Sequence, residues 1–183
     1  MFWYNSSRWF GGFLMLLVFG CVEPEDVTTF DTDLISLPAV VDSVFNNGMD
    51  SLLNVTKTIT VNDHPPESKK LVNYNIKEDL RILIDYNVAT PRWADFMEVQ
   101  RTDSAGLQLI RYTTDNKKAP VRNIRVVKKG NDIIAVKIRS NKKNLISEQA
   151  HTIVWNLGKS YSIQKTSKLL IRKPSIFRSV VSY

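Results

Sequence analysis

The chain has 183 residues, one cysteine, a net charge of +7, and 43% hydrophobic and 23% charged residues, close to the average of an ordinary globular domain. Disorder requires low hydrophobicity, a disulfide scaffold several cysteines, and a multi-span helical membrane protein repeated apolar runs of about 20 residues, so none describes the whole chain. One folded domain is expected, with one distinctive end.

Residues 1–8 carry a single positive charge, Arg8, and Trp9 to Gly20 (WFGGFLMLLVFG) then run without a charged side chain into Cys21. That is the layout of a secretory leader. A helix rises about 1.5 Å per residue, so the run reaches roughly 18 Å against a hydrocarbon core of about 30 Å and is too short to span. The residues by themselves leave open an ordinary signal peptide or a buried free cysteine. Val18-Phe19-Gly20-Cys21, with a small residue before the sole cysteine, resembles the lipobox of bacterial lipoproteins, Phe19 being bulkier than the usual residue there.

The resemblance implies that residues 1–20 are a signal peptide cleaved between Gly20 and Cys21, and that Cys21 becomes an acylated N-terminus. One acyl chain anchors only marginally, whereas two or three would fix the protein on a membrane. Residues 21–33 then form the acylated cysteine and an acidic tether, beginning Val22-Glu23-Pro24-Glu25-Asp26, which should stay extended and solvated. Acids after the cysteine resemble, loosely, the surface-display signal of small envelope lipoproteins of the Bacteroidota. No Asp directly follows Cys21, so the resemblance implies the outer membrane, with the periplasmic or surface face left open.

Residues 34–183 read as a single α+β globular domain. Leu34 to Leu53 places Leu37, Val40, Val41, Val44, Phe45, Met49, Leu52 and Leu53 at spacings of three and four, one stripe of a helix. Ser36 can cap it, Pro38 suits its first turn, and Asn46-Asn47-Gly48 should weaken or break it midway. Val55 to Val61 alternates and is β-branched, predicting a strand that ends at Asn62-Asp63-His64-Pro65-Pro66. A second helix is expected from Ile76 to Tyr86, capped by Asn75, with Thr90-Pro91 closing the connection after it.

From Ala94 onward the chain predicts successive strands: 96–101, 107–113, 121–128, 133–139, 145–155, 161–171 and 176–181. Turn residues separate them, including Asp103-Ser104-Ala105-Gly106, Lys129-Gly130-Asn131-Asp132 and Asn156-Leu157-Gly158-Lys159. Strands joined by two to five residues are antiparallel, so the expected fold is a curved antiparallel meander of six or more strands covered by one or two N-terminal helices. Ile134, Val136 and Ile138 are expected on the covered face, and Lys137 and Arg139 on the wet one.

Charge is unevenly spread. Without Arg8 the chain from Cys21 holds 24 bases and 18 acids, net +6; residues 22–63 balance to −7 and residues 117–183 to +14. In an exported, lipid-anchored protein a basic half fits an anionic lipid, an acidic glycan or an envelope protein rather than nucleic acid. Its plainer use is as solvated lysine faces that keep strands soluble.

Chemistry is sparse. Beyond the leader only Gly48, Gly106, Gly130 and Gly158 remain, too dispersed for a phosphate-cradling loop. His64 and His151 stand far apart with no second cysteine, against the three or four clustered ligands of a zinc site. No Gly-x-Ser-x-Gly elbow occurs, and Glu78 with Asp79 sit at a helix start, where they favour the helix dipole. No catalytic residue, metal site or cofactor is assigned, and an enzyme is not expected. Tyr86, Trp93, Phe96 and Tyr112 make a candidate ligand cleft, with core packing as the alternative. The expected role is a lipid-anchored envelope protein with a non-enzymatic binding or structural function; the alternative is a half-barrel carrier or sensor for a lipid or other hydrophobic ligand.

Overall fold

The computed structural model describes residues 34–183 apart from Pro120; the leader, Gly20, Cys21 and the tether lie outside the described residues. The first helix, α1 (Leu37–Asn46), starts where the Ser36 hydroxyl accepts from the Ala39 N–H. It buries Leu37, Val40 and Val41. The expected break at Asn46-Asn47-Gly48 ends it: the chain turns at Asn47 and then takes φ +104° at Gly48, a conformation open to glycine. Leu52 and Leu53 therefore belong to a strand.

That strand, β1 (Leu52–Val61), pairs with β2 (Glu67–Asn75), which the sequence pattern did not announce. β2 is an edge strand, and its polar run ESKKLVNYN carries neither the alternation nor the β-branched enrichment that marks a half-buried strand. Asn75 caps α2 (Ile76–Leu80) as expected, its Oδ1 accepting from the Glu78 N–H at 3.2 Å. The expected helix narrows to a 3-10 turn from Arg81 to Tyr86, and a further short helix, α3 (Pro91–Ala94), follows.

Seven strands complete the chain: β3 (Glu98–Ser104), β4 (Leu107–Thr113), β5 (Asn123–Lys129), β6 (Asp132–Lys143), β7 (Ser147–Asn156), β8 (Ser160–Leu169) and β9 (Ser175–Ser182). β9 pairs with β1, giving one antiparallel, open, curved sheet of nine strands in the order β2-β1-β9-β8-β7-β6-β5-β4-β3. The expected meander is present, and the helical share is smaller than expected, so the domain is mostly sheet. The β3–β4 turn shows the local logic: Ala105 and Gly106 take φ +50° and +75°, as a two-residue hairpin turn requires.

Cross-strand register sorts the side chains into rows. One row on the covered face runs Ile59, Ser179, Ile163, Ile153, Ile138, Ile124, Tyr112, Val99; its neighbour runs Lys57, Val181, Tyr161, Trp155, Val136, Val126, Ile110, Arg101. Ile138, Ile124, Trp155, Val136 and Tyr161 from these rows share one core cluster with Leu37, Ile76, Leu80 and Leu83 from the helical segments. Ile134 departs from its expected place and is 37% exposed. A bulge opposite Val127 and Lys128 inserts it as the extra residue and breaks the alternation there.

Two other shifts move apolar residues off the sheet. The β6–β7 turn falls at residues 144–146, past the expected start of a strand at 145, and β8 ends at Leu169, so Leu145, Ile146, Leu170 and Ile171 lie in turns rather than in the predicted strands. Asn144 causes the first shift: its Oδ1 accepts from the N–H groups of Ile146 and Ser147 at 3.0 and 2.7 Å.

Candidate functional site

The register places Lys57 in the covered row, where an apolar residue would be ordinary. A bulge in the β1–β2 ladder, with Asn73 at φ +53°, sets Tyr74 rather than Asn73 opposite Leu53 and so turns its ring to the same face. From above, α2 lowers Asp79 onto this row. Its Oδ2 accepts from the Tyr161 hydroxyl at 2.5 Å, the Tyr74 hydroxyl at 2.6 Å and the Lys57 ammonium at 3.3 Å. Lys57 also donates to the Tyr74 hydroxyl and lies 4.8 Å from that ring's centroid.

Burial by itself would raise the Asp79 pKa, but the hydrogen bonds from Tyr161 and Tyr74 and the charge of Lys57 hold it below the ordinary carboxylate value. Burial would lower that of Lys57, and the Tyr74 bond with the Asp79 charge hold it above. Burial and the bond to Asp79 push Tyr161 far above an ordinary tyrosine. The cluster is thus a stable ion pair bonded to the neutral Tyr161 phenol. A carboxylate oxygen already holding three donors is poorly placed to take a proton from a substrate.

Lys57 and Tyr74 are also one wall of an open cleft of about 540 Å³, completed by Ile59, Leu71, Lys69 and Glu67. The volume falls in the range of small-molecule sites, roughly 300–1,000 Å³. Ile59 and Leu71 give it an aliphatic lining, and two ammonium groups and the Glu67 carboxylate border it. A second cleft, of about 330 Å³, lies beside Leu34, Ile35, Gln108, Ile110, Tyr112 and Lys128.

The four aromatics expected to form one cleft are spread out. Tyr86, buried, meets His151 edge-on with ring centroids 6.1 Å apart, and its hydroxyl bonds His151 Nδ1. Tyr112, buried on β4, is three strands from His151, about 14 Å at the usual strand spacing. Trp93 packs partly buried against the core with the Arg92 guanidinium 4.8 Å from its ring, and Phe96 is mostly exposed. His151 faces Tyr86 from the covered side of β7; burial, then the charges of Lys165 and Lys142, hold its pKa below the ordinary value.

Sequence reading missed Lys57, Tyr74 and Tyr161, and it read Asp79 only as a helix-dipole partner. The one available signal was Lys57, a lone charge in phase with the apolar positions Val55, Ile59 and Val61 of VTKTITV. Among the described residues, no three His, Cys, Asp or Glu are grouped to hold a metal, and no helix is long and apolar enough to cross a membrane.

The opposite face is cationic. Arg111, Arg125 and Lys137 stand directly opposite one another on β4, β5 and β6, and Arg139 lies two residues further along β6. None of the four joins the ion pairs among the described residues, which link Lys57 to Asp79, Lys77 to Asp42 and Arg81 to Glu78. β5 and β6 are interior strands, so protection against edge pairing does not explain these charges.

Comparison with protein-family models, with curated proteins and with solved structures finds no significant match.

Proposed function

We propose that this protein is a lipid-anchored, non-enzymatic binding module of the cell envelope, acylated at Cys21, whose ligand enters the cleft beside Lys57. The observation that carries the binding reading is the ammonium of Lys57, held by Tyr74 and Asp79 at the wall of a cleft floored by Ile59 and Leu71. A fixed cation beside aliphatic side chains suits an amphiphile with an anionic head and an apolar body, because the cation arrives already ordered and partly buried. The filled core under the helices leaves the flank of the sheet, rather than its middle, as the place for such a ligand.

The half-barrel carrier is a reading of the same cleft: the curved, open sheet and its aliphatic floor favour a lipid as the amphiphile. The anchor reading rests on Val18-Phe19-Gly20-Cys21, the apolar run before it and the acidic segment after it.

Two measurements test these readings. In cells given a fatty-acid probe, wild-type protein is labelled and Cys21→Ala is not; equal labelling sinks the anchor. In titrations with a fluorescent fatty acid, Lys57→Gln weakens binding about tenfold, the loss expected of a charge-assisted contact. Unchanged affinity removes the cleft from the ligand site.

A further inference from the structure

The β6–β7 and β8–β9 turns lie side by side at one end of the sheet, joined by the Leu170 N–H donating to the Ile146 carbonyl at 3.0 Å. Their side chains are aliphatic and out in solvent: Leu145 is 97% exposed, Ile146 67%, Leu170 77% and Ile171 93%. Isolated exposed leucines are ordinary, but four aliphatic residues on two joined tips are a patch that adds nothing to the core and is poorly solvated. The turns do not require them, since Asn144 makes the hydrogen bonds that shape the first one.

Cations ring the tips. Lys142 and Lys143 precede the first turn, Lys168 precedes the second and Arg172 and Lys173 lie within it, all exposed. None takes part in the ion pairs among the described residues. The one acid close by in the chain, Glu148, accepts from Asn141 Nδ2 at 3.2 Å.

We infer that these paired tips are a membrane-docking site: the four aliphatic side chains enter the acyl boundary of a bilayer while the five cations meet anionic headgroups. Charge complementarity selects this occupant. A bilayer surface offers an apolar interior and a layer of phosphates at the spacing an aliphatic tip with a cationic collar needs, each cation near an anionic surface adding to affinity. A second copy of the chain would instead bring its own five cations against these. Docking through the tips also uses part of the +14 of residues 117–183. It does not depend on acylation, and the test below removes Cys21 so that the two can fail separately.

In the mature chain lacking the leader, residues 1–20, and carrying Cys21→Ser, a single cysteine is introduced either at the tip, Leu145→Cys, or in the β5–β6 turn at the other end of the strands, Asn131→Cys, and labelled with an environment-sensitive dye. Vesicles of phosphatidylcholine with one-third phosphatidylglycerol shift the tip dye to the blue and leave the other unchanged; high salt or phosphatidylcholine alone abolishes the shift. The double variant Leu145→Ser/Ile171→Ser, altering only exposed side chains, partitions into the anionic vesicles about tenfold or more weakly in the same leader-free Cys21→Ser chain. Equal shifts at both dye positions, or unchanged partitioning of the double variant, would overturn the inference. So would a tip shift that appears without vesicles and grows with protein concentration, which assigns the tips to self-contact.

Discussion

Asp79 and Tyr161 stand 82 residues apart in the chain and share a 2.5 Å hydrogen bond that fastens α2 to β8. The bond joins the helical segment to the middle of the sheet, and it is why one carboxylate can sit partly buried above an apolar row.

Tyr161→Phe removes that donor and keeps the ring. A hydrogen bond to a charged group contributes about 1.5–3 kcal/mol, so denaturant unfolding should show a loss of that order. The carboxylate also sets an acid limb. Its pKa is lowered in the folded state, so its contribution is present above the unfolded value of about 3.9 and is lost as pH falls through the folded value. Asp79→Asn should flatten stability against pH below about pH 4. A limb identical to wild type would show that the acid dependence lies elsewhere.

His151 makes a second pH dependence in a different window. Its pKa is held below the ordinary value by burial and by Lys165 and Lys142, so the unfolded chain binds its proton first. Stability is complete above the unfolded value of about 6.5 and declines as pH falls below it. His151→Gln should remove this decline between neutral and mildly acidic pH, measured by thermal unfolding. Tyr86→Phe should retain it, since the tyrosine hydroxyl is not its cause.

The scattered aromatics predict opposite costs. Tyr112→Ala empties a site that is 1% exposed and should lose about 3–5 kcal/mol, as large-to-small core changes do. Phe96→Ala, at a mostly exposed position, should change stability by less than about 0.5 kcal/mol. Comparable losses at both would restore the idea of one aromatic cluster.

Like charges directly across a sheet are unfavourable, and Arg125 has one on each side, Arg111 and Lys137. Arg125→Glu turns two repulsive pairs into attractive ones and should raise stability by about 0.4–2 kcal/mol at low salt. The gain should shrink as salt screens the exposed charges. A destabilised variant would mean that the arginine stem packs on the sheet more than its charge repels.

The sheet was readable because its signals are local. Period-two alternation in strands such as β5, and turn residues such as Gly106 and Gly130, mark strand and turn within a few residues of themselves. β2 was not readable for the complementary reason: an edge strand rich in charge takes its conformation from β1, which holds it by backbone hydrogen bonds, and its side chains carry little of the pattern. The tip residues were misplaced by two or three positions because an apolar pair reads equally well as the end of a strand, until Asn144 folds the turn ahead of it.

By itself the sequence determined the capped first helix, the antiparallel meander after residue 94, the concentration of positive charge after residue 116, and the resemblance of Val18-Phe19-Gly20-Cys21 to a lipobox. Tertiary structure alone decided which distant residues meet. The pairing of β1 with β9, set by register over more than a hundred residues of separation, puts Lys57 beside Val181 and within reach of Asp79 and Tyr161. The β4–β5 and β5–β6 registers set Arg111, Arg125 and Lys137 in line, and the Leu170 N–H to Ile146 carbonyl bond joins two separate turns into one aliphatic tip. Short-range pattern carries the periodicity of each strand, but a side chain's neighbours across strands depend on register, which is settled only when the whole sheet has formed.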